Sequence, residues 1–489
     1  MNTTMLMTAT LVFYFLLLMW LSRRSGRQKG NDAFFRGGRQ SPWWMVGFGM
    51  IGASISGVSF ISVPGWVSTT GMTYLQMCAG FFFGYLAVAF LLLPLYYRLR
   101  LTSIYTYLGN RFGRCSHRTG ALFFLLSKLT GAAARLYVVC LVLQQFLLPH
   151  TIGTGADGLY FGLTSAGILL LIWLYTRRSG IFTIVRTDAL QTACLLLMVI
   201  IMTVIAAGRL ELDAGGMVRT IAGSPLSRVF EWDTGSPQNF WRQFVSGIFV
   251  VIVMTGLDQD MMQKNLTCRS LREAQKNMCA YGACFLPVNL LLLALGILLY
   301  TLCSQSGMPQ PAGGDTLLPS LVAGGELGTL VIIPFTLGIV TAAFSSADSA
   351  LTALTTSCCV DLLNVEQRGL TPERQATIRQ RVHIAMTAGF LICILLFRLA
   401  NDTNVINAIY VMASYTYGPL LGLYAFGLLT HRGIRDKWVP AVAITSPVVC
   451  ALLDHFAPLW WNYTFGYELL MLNGLLTFAG LAVLSKKRK

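Results

Sequence analysis

Again and again this chain stays apolar for as long as a bilayer is thick. A helix crossing the hydrocarbon core needs about 20 mainly apolar residues. About 13 such stretches can be marked out, centred near residues 14, 54, 86, 135, 167, 194, 248, 289, 342, 390, 415, 446 and 477. Inside a bilayer every backbone N–H and C=O must be satisfied within the protein. The expected fold is therefore an all-α integral membrane protein with about 13 transmembrane helices. Only 11% of the residues are charged, against roughly 25% in a soluble domain. No stretch is long and polar enough to form a separate soluble domain.

A net charge of +16 would suit a nucleic-acid binder, but its placement argues otherwise. With the N-terminus outside, alternate loops carry basic clusters at 23–39, 98–118, 177–178, 264–276, 368–381, 432–437 and 486–489. On the other side only the long loop after the sixth span is basic, with Arg209, Arg219 and Arg228. This is the positive-inside pattern, and one span more or fewer would break it. It excludes nucleic acid as the partner and predicts a multi-pass plasma (bacterial inner) membrane protein, C-terminus cytoplasmic. The run Met5–Trp20 has its basic residues after it rather than before it, so it reads as a retained helix and not a signal peptide. The 12 cysteines lie mostly inside spans with no CxxC pair, which argues against metal and disulfide frameworks.

Two stretches look interrupted. "GFGMIGASISGVSFISVPGW" brings Gly47, Gly49, Gly52, Gly57 and Pro64 into an apolar run. "FVSGIFVVIVMTGLDQD" has Ser246–Gly247 and Thr255–Gly256. Small residues also permit close helix packing. Two breaks in corresponding places point further, to an inverted repeat with a mid-membrane site. The predicted organisation is an extra N-terminal helix at 5–22, five-helix repeats at 42–207 and 240–430, each with a broken first helix, and two C-terminal helices within 436–485.

The stretch "TAAFSSADSALTALTTSCC" is apolar enough to span yet rich in oxygen. As a helix it puts Ala342, Ser345, Ser346 and Ser349 on one face at i, i+3, i+4 and i+7, with Asp348 at its border. Hydroxyl, carbonyl and carboxylate oxygens suit a hard cation, and a broken helix opposite would add main-chain carbonyls. Helix–helix hydrogen bonding is the competing use of such hydroxyls. An ionisable group in a span is a functional candidate, and there are further ones. Asp188 either pairs with nearby Arg186 or lends charge to a cation site. Asp258 and Asp260 sit at an inner helix end, where a solvated or gating role is expected. Arg135 lies deep in a long apolar segment, as partner of an intramembrane Asp or clamp for an anion. Lys128, two turns earlier, is expected to snorkel inward.

These residues resemble the sodium:solute symporter family over about residues 40–430. "RTDALQ" (186–191) is similar to its T-D-x-x-Q, "DQDMMQK" (258–264) to its D-Q-x-x-x-Q-[RK], and "AAFSSADSALTA" to its A-x-x-S-S-x-x-S helix. "GPLLGLYAFGLL" (418–429) is similar to its small-residue run. The resemblance implies a LeuT-like pair of inverted five-helix repeats and Na+ as the coupled ion. Carried over residue by residue, the sodium ligands are the Gly52, Ile55 and Ala342 carbonyls with Ser345 and Ser346. A second cation site falls on Asp188, Asp348 and Ser349. Where relatives carry Ser or Thr this chain has Asp348; the extra carboxylate either strengthens a second sodium site or carries a proton. "SISGVSFISVP" looks most like the sialic acid, iodide and monocarboxylate branches. The resemblance implies a substrate site of Ser56, Ser59 and Arg135, with an aromatic from Tyr74 and an amide from Gln76.

The resulting expectation is a sodium-coupled symporter that imports a small, anionic organic solute by alternating access. The alternative is a neutral sugar or polyol carrier in which Arg135 is structural. The partners expected are the solute, sodium and the lipid bilayer, with no obligate protein partner. A channel would normally gather several identical subunits around a pore. An enzyme would need nucleophile–base sets, whereas the histidines (117, 150, 383, 431, 455) are scattered.

Overall fold

The computed structural model describes residues 3–25, 30–153, 155–177, 180–307, 314–400 and 405–486. Of the basic loop residues, Arg27, Lys29, Arg178, Lys487, Arg488 and Lys489 lie outside this set.

The long helices are α1 (Thr3–Ser25), α2 (Trp43–Ser54), α3 (Gly57–Thr70), α4 (Tyr74–Ala87), α5 (Arg114–Leu147), α6 (Asp157–Thr176) and α7 (Ile181–Arg209). They continue with α8 (Phe240–Val251), the short α9 (Gln259–Asn265), α10 (Leu271–Gln305), α11 (Ile332–Ser357), α12 (Pro372–Ala400), α13 (Val405–Leu429), α14 (Val439–Trp461) and α15 (Leu469–Val483). Among the described residues, 9 helical segments are long and apolar enough to cross a membrane, or 11 if each bent pair is one span. Helices are what an apolar chain without water must form, because each satisfies its own backbone.

The bent pairs are α2 with α3, at 61°, and α8 with α9, at 69°. In the first, Ile55 leaves the helix (φ −83°, ψ 87°) and Ser56 turns extended, its hydroxyl accepting from Ser59 N at 3.4 Å as an N-cap for α3. In the second, the chain passes through a wide turn at Ile252–Gly256, and Asp258 then caps α9 by accepting from Asp260 N at 2.8 Å and Met261 N at 3.3 Å. The break lies at Gly256–Asp258; Ser246–Gly247, marked in the sequence as a candidate, stays inside continuous α8. Gly247 serves close packing instead, since a Cβ there would collide with the Met77 carbonyl. Gly49 and Gly52 likewise let α2 press on α7, where added Cβ atoms would meet Asp188 Cβ and Thr192 Oγ1.

Helix α11 is the axle of the molecule. The segment Thr329–Leu362 is 83% buried along its apolar window, against 17% for Thr4–Arg24, which lies at the periphery. Helices α7, α5, α3 and α1 all pack on α11. At the C-terminal end α13 packs on α15, with Gly418 and Gly422 facing Asn473 and Thr477.

Candidate functional site: a cation cradle beside a charged cavity

The kink in α2–α3 changes the hydrogen-bonding of its own carbonyls. Ser56 N–H bonds to Ser54 O at 3.1 Å, not to Gly52 O, and Ser59 N–H takes Ser56 Oγ, not Ile55 O. The Gly52 and Ile55 carbonyls therefore do not accept the bonds they would hold in an unbroken helix. Both belong to the expected sodium set. Gly52 N–H is anchored on Thr192 Oγ1 at 3.1 Å. Gly57, the first residue of α3, sits where a Cβ would be 3.3 Å from Ile339 O and 3.7 Å from Ala343 Cβ. The kink is thereby held against α11, within a turn of Ala342, Ser345 and Ser346.

On α11 the hydroxyls divide by use. Thr341, Thr355 and Thr356 donate back to carbonyls of their own helix (Leu337, Leu351 and Thr352). Ser357 donates to Asp361 at 2.6 Å. Ser345 donates to Asp188 Oδ1 at 2.9 Å and Ser349 to Asp188 Oδ2 at 3.3 Å. With its proton engaged, Ser345 keeps its lone pairs for a cation. Ser346, 5% exposed, makes no hydrogen bond through its hydroxyl among the described residues. Released carbonyls and buried hydroxyls are the donor set a small alkali cation takes.

Asp348 is fully buried, accepting from Tyr175 at 2.8 Å and Ser349 at 3.2 Å. Asp188, also fully buried, pairs with Lys264 Nζ at 2.8 Å, while Arg186 lies over the Phe182 ring at 4.0 Å. So of the two readings of Asp188 in the sequence, the Arg186 pair is not formed. Asp188, Asp348 and Ser349 do converge, with Lys264 as the neighbour sequence reasoning missed. The signal was present: Lys264 and Asp260 are spaced i, i+4 on one short helix.

Beside the cradle is a cavity of about 140 Å³, bounded by Ile55, Ser56, Ser59, Tyr74 and Arg135 from the sequence candidates. Aromatic walls come from Trp66, which meets Tyr74 edge-on at 5.2 Å, and from Phe81, Tyr85 and Tyr281. Gln76 is not part of it. Its amide donates to Gln238 O at 2.9 Å and accepts from Glu231 N at 3.0 Å, pinning the long loop between α7 and α8. Two further expectations are corrected. Lys128 does not snorkel; it is buried in the cavity wall 2.7 Å from Asp260 Oδ2 and 3.2 Å from Asp258 Oδ2. Asp258 and Asp260 are not solvated, at 2% and 4% exposed, and Tyr417 donates to Asp258 Oδ2 at 2.5 Å. A buried lysine needs such partners. Lys128 and Arg135 are seven apart and so share one face of α5. They differ in pairing: Arg135 has no carboxylate within 4.0 Å among the described residues.

The sodium:solute symporter family profile matches residues 34–435. The chain belongs to the sodium:solute symporter family. That is a family of transporters. The chain is 26% identical over 422 residues to the sodium/iodide cotransporter of Homo sapiens, a match covering 84% of this chain and 63% of that protein. It is 23% identical over 452 residues to the sodium/sialic acid symporter of Proteus mirabilis, covering 87% and 85%. A solved structure of a Na+-coupled sialic acid symporter superposes with TM-score 0.81 at 19% identity, covering 99% of each chain. The fold is therefore shared end to end with that transporter.

Proposed function

We propose that this symporter carries a monoanionic organic solute inward with sodium, by alternating access around the kink in α2–α3. Sugar acids such as sialic acid, or a monocarboxylate, are the solute classes that fit. The observation that carries the anionic reading is the unequal pairing of the two cavity cations. Lys128 is neutralised by Asp258 and Asp260, whereas Arg135 is left with its planar fork for a ligand carboxylate. The aromatic walls then cover the body of the solute, and Ser56, Ser59 and Tyr74 supply hydroxyls around it. A neutral sugar or polyol carrier with a structural Arg135 would need a protein carboxylate on that guanidinium, and none is within ion-pair distance among the described residues.

Sodium is placed between the Gly52 and Ile55 carbonyls and the Ala342, Ser345 and Ser346 oxygens. There it ties the kink to α11. Because Ile55 belongs both to the cradle and to the cavity wall, a cation that orders the kink raises solute affinity, and solute raises cation affinity equally. The wider architecture belongs to the same proposal. Helices α13 and α15 complete 13 spans; residues 42–207 and 240–430 form inverted repeats whose first helices are the two bent pairs. Residues 5–22 and 436–485 are additions. The N-terminus faces outward in a plasma (bacterial inner) membrane.

Uptake into proteoliposomes under an inward sodium gradient tests this, with a sialic acid, a monocarboxylate and a neutral sugar compared. Accumulation of an anion that requires sodium and disappears in Arg135→Ala is expected. Equal accumulation of a neutral sugar by wild type and Arg135→Ala would overturn the anionic reading.

A further inference from the structure

Lys264 has no place in the sodium–solute scheme, yet it is among the most enclosed charges in the molecule. Its side chain is 1% exposed. It stands in the last turn of α9, immediately after the second helix break. Its ammonium lies 2.8 Å from Asp188 Oδ2 and 3.9 Å from Asp260 Oδ1.

Asp188 is also where two α11 hydroxyls converge, Ser345 at 2.9 Å and Ser349 at 3.3 Å, with Asp348 one hydrogen bond beyond at 3.2 Å. Carboxylate and hydroxyl oxygens gathered in this way would hold a hard cation. The position nearest the Asp188 carboxylate is instead taken by an ammonium on a tether. A lysine head is a compact point charge of the same sign and charge as an alkali ion. An additional sodium at Asp188 would sit against the Lys264 ammonium, 2.8 Å from the same carboxylate, in a water-poor interior where like charges are weakly screened. The other carboxylate within ion-pair distance of Lys264 is Asp260, through Oδ1 at 3.9 Å. That oxygen accepts no hydrogen bond, but Lys128 already neutralises the same carboxylate at 2.7 Å. The alternative seat is therefore already compensated, and Lys264 stays.

We propose that Lys264 is a resident cation that fills the Asp188 position and limits this symporter to one sodium per solute. The inference rests on the sodium-coupled reading above. For a monoanionic solute, one sodium makes the cycle electroneutral. Freeing Asp188 would admit a second ion and make the cycle electrogenic.

The test counts ions without needing the solute. Equilibrium binding of ²²Na+ to purified protein in detergent is measured for wild type, Lys264→Met and Lys264→Arg. The expected result is one ion per chain with a Hill coefficient near 1 for wild type and Lys264→Arg. For Lys264→Met two ions and a Hill coefficient clearly above 1 are expected. A purely structural lysine would not change the ion count. Two ions per wild-type chain, or one ion per well-folded Lys264→Met chain, would overturn the proposal. Should Lys264→Met fail to fold, the neutral pair Asp188→Asn with Lys264→Met removes both buried charges. That double variant is expected to keep one ion, and loss of all binding would show that Asp188 itself holds the wild-type ion. No sodium bound by wild type would sink the sodium-coupled reading, and the inference with it.

Discussion

The proposed cation cradle depends on single oxygens, and Ser346 is the one most open to test. Its hydroxyl has no protein partner among the described residues, so its removal strands no donor. Ser346→Ala should leave thermal stability within about 0.5 kcal/mol of wild type while weakening half-saturating sodium by roughly tenfold, or about 1.4 kcal/mol. Sodium titration of uptake or intrinsic fluorescence reads this; an unchanged half-saturation would remove Ser346 from the site. Arg135→Lys is the companion at the cavity. A point charge cannot reproduce bidentate binding, so anion affinity should fall by about 1.5–3 kcal/mol with a sodium site still intact. At this scale much was legible. The i, i+3, i+4, i+7 spacing of Ala342, Ser345, Ser346 and Ser349 followed from helix geometry alone. What sequence could not show was pairing. Lys128 and Arg135 look alike in an apolar run, and only three-dimensional placement against Asp258 and Asp260 separates them.

The elements that matter most are the broken ones. Glycine and proline signalled α2–α3, but not where it opens: Pro64 lies within α3, and the chain leaves the helix at Ile55 and re-enters it after Ser56. Many of the glycines exist for contact, not for the break, because close helix approach and chain reversal call for the same residue. In α8–α9 the signal was an acid. Asp258 both caps α9 and holds Lys128. Asp258→Asn keeps a cap acceptor and loses the ion pair, whereas Asp258→Ala loses both. Alanine should therefore be less stable than asparagine by about 1 kcal/mol, the usual worth of an N-cap. Thermal unfolding in detergent checks the order; equal stabilities would mean that the cap contributes nothing. Gly57→Ala addresses the other break. Its Cβ would stand 2.5 Å from Val139 Cγ2 on α5 and 3.3 Å from Ile339 O on α11, forcing α3 away from both helices. A loss of about 1–3 kcal/mol is expected from such overpacking, together with weakened sodium binding.

Across the whole molecule, the basic loops meet. Arg36 pairs with Glu366 at 2.8 Å, and Arg379 donates to Asn31 at 2.7 Å. Arg39 reaches the Leu101 carbonyl at 3.3 Å. Asp436 accepts from Cys115 N and Ser116 N at 2.8 Å each, and Gly433–Ile434 pairs with Ser485–Lys486 as a short antiparallel bridge. These contacts gather the loops that charge alone assigned to the cytoplasm. On the opposite side the 210–239 segment is pinned by Gln76, and Arg242 pairs with Glu468. A membrane-impermeant maleimide added outside intact cells should label Asp233→Cys and spare Lys276→Cys, both exposed positions. The reverse pattern would invert the topology. The span pattern was readable because hydropathy and loop charge are local properties. The ion network from Asp348 to Asp258 was not, since its charged members come from three helices, α5, α7 and α11, and the segment around the second break.

The central claim is that a cation held at the Ile55 kink and the Ser345–Ser346 face of α11 shapes the neighbouring solute cavity. Titrating a transported anion by calorimetry in sodium and then in potassium, for wild type and Ser346→Ala, tests it most directly. The expected result is anion affinity at least tenfold higher in sodium for wild type, with most of that gain, about 1.4 kcal/mol or more, lost in Ser346→Ala. The same affinity in both salts for wild type would contradict it.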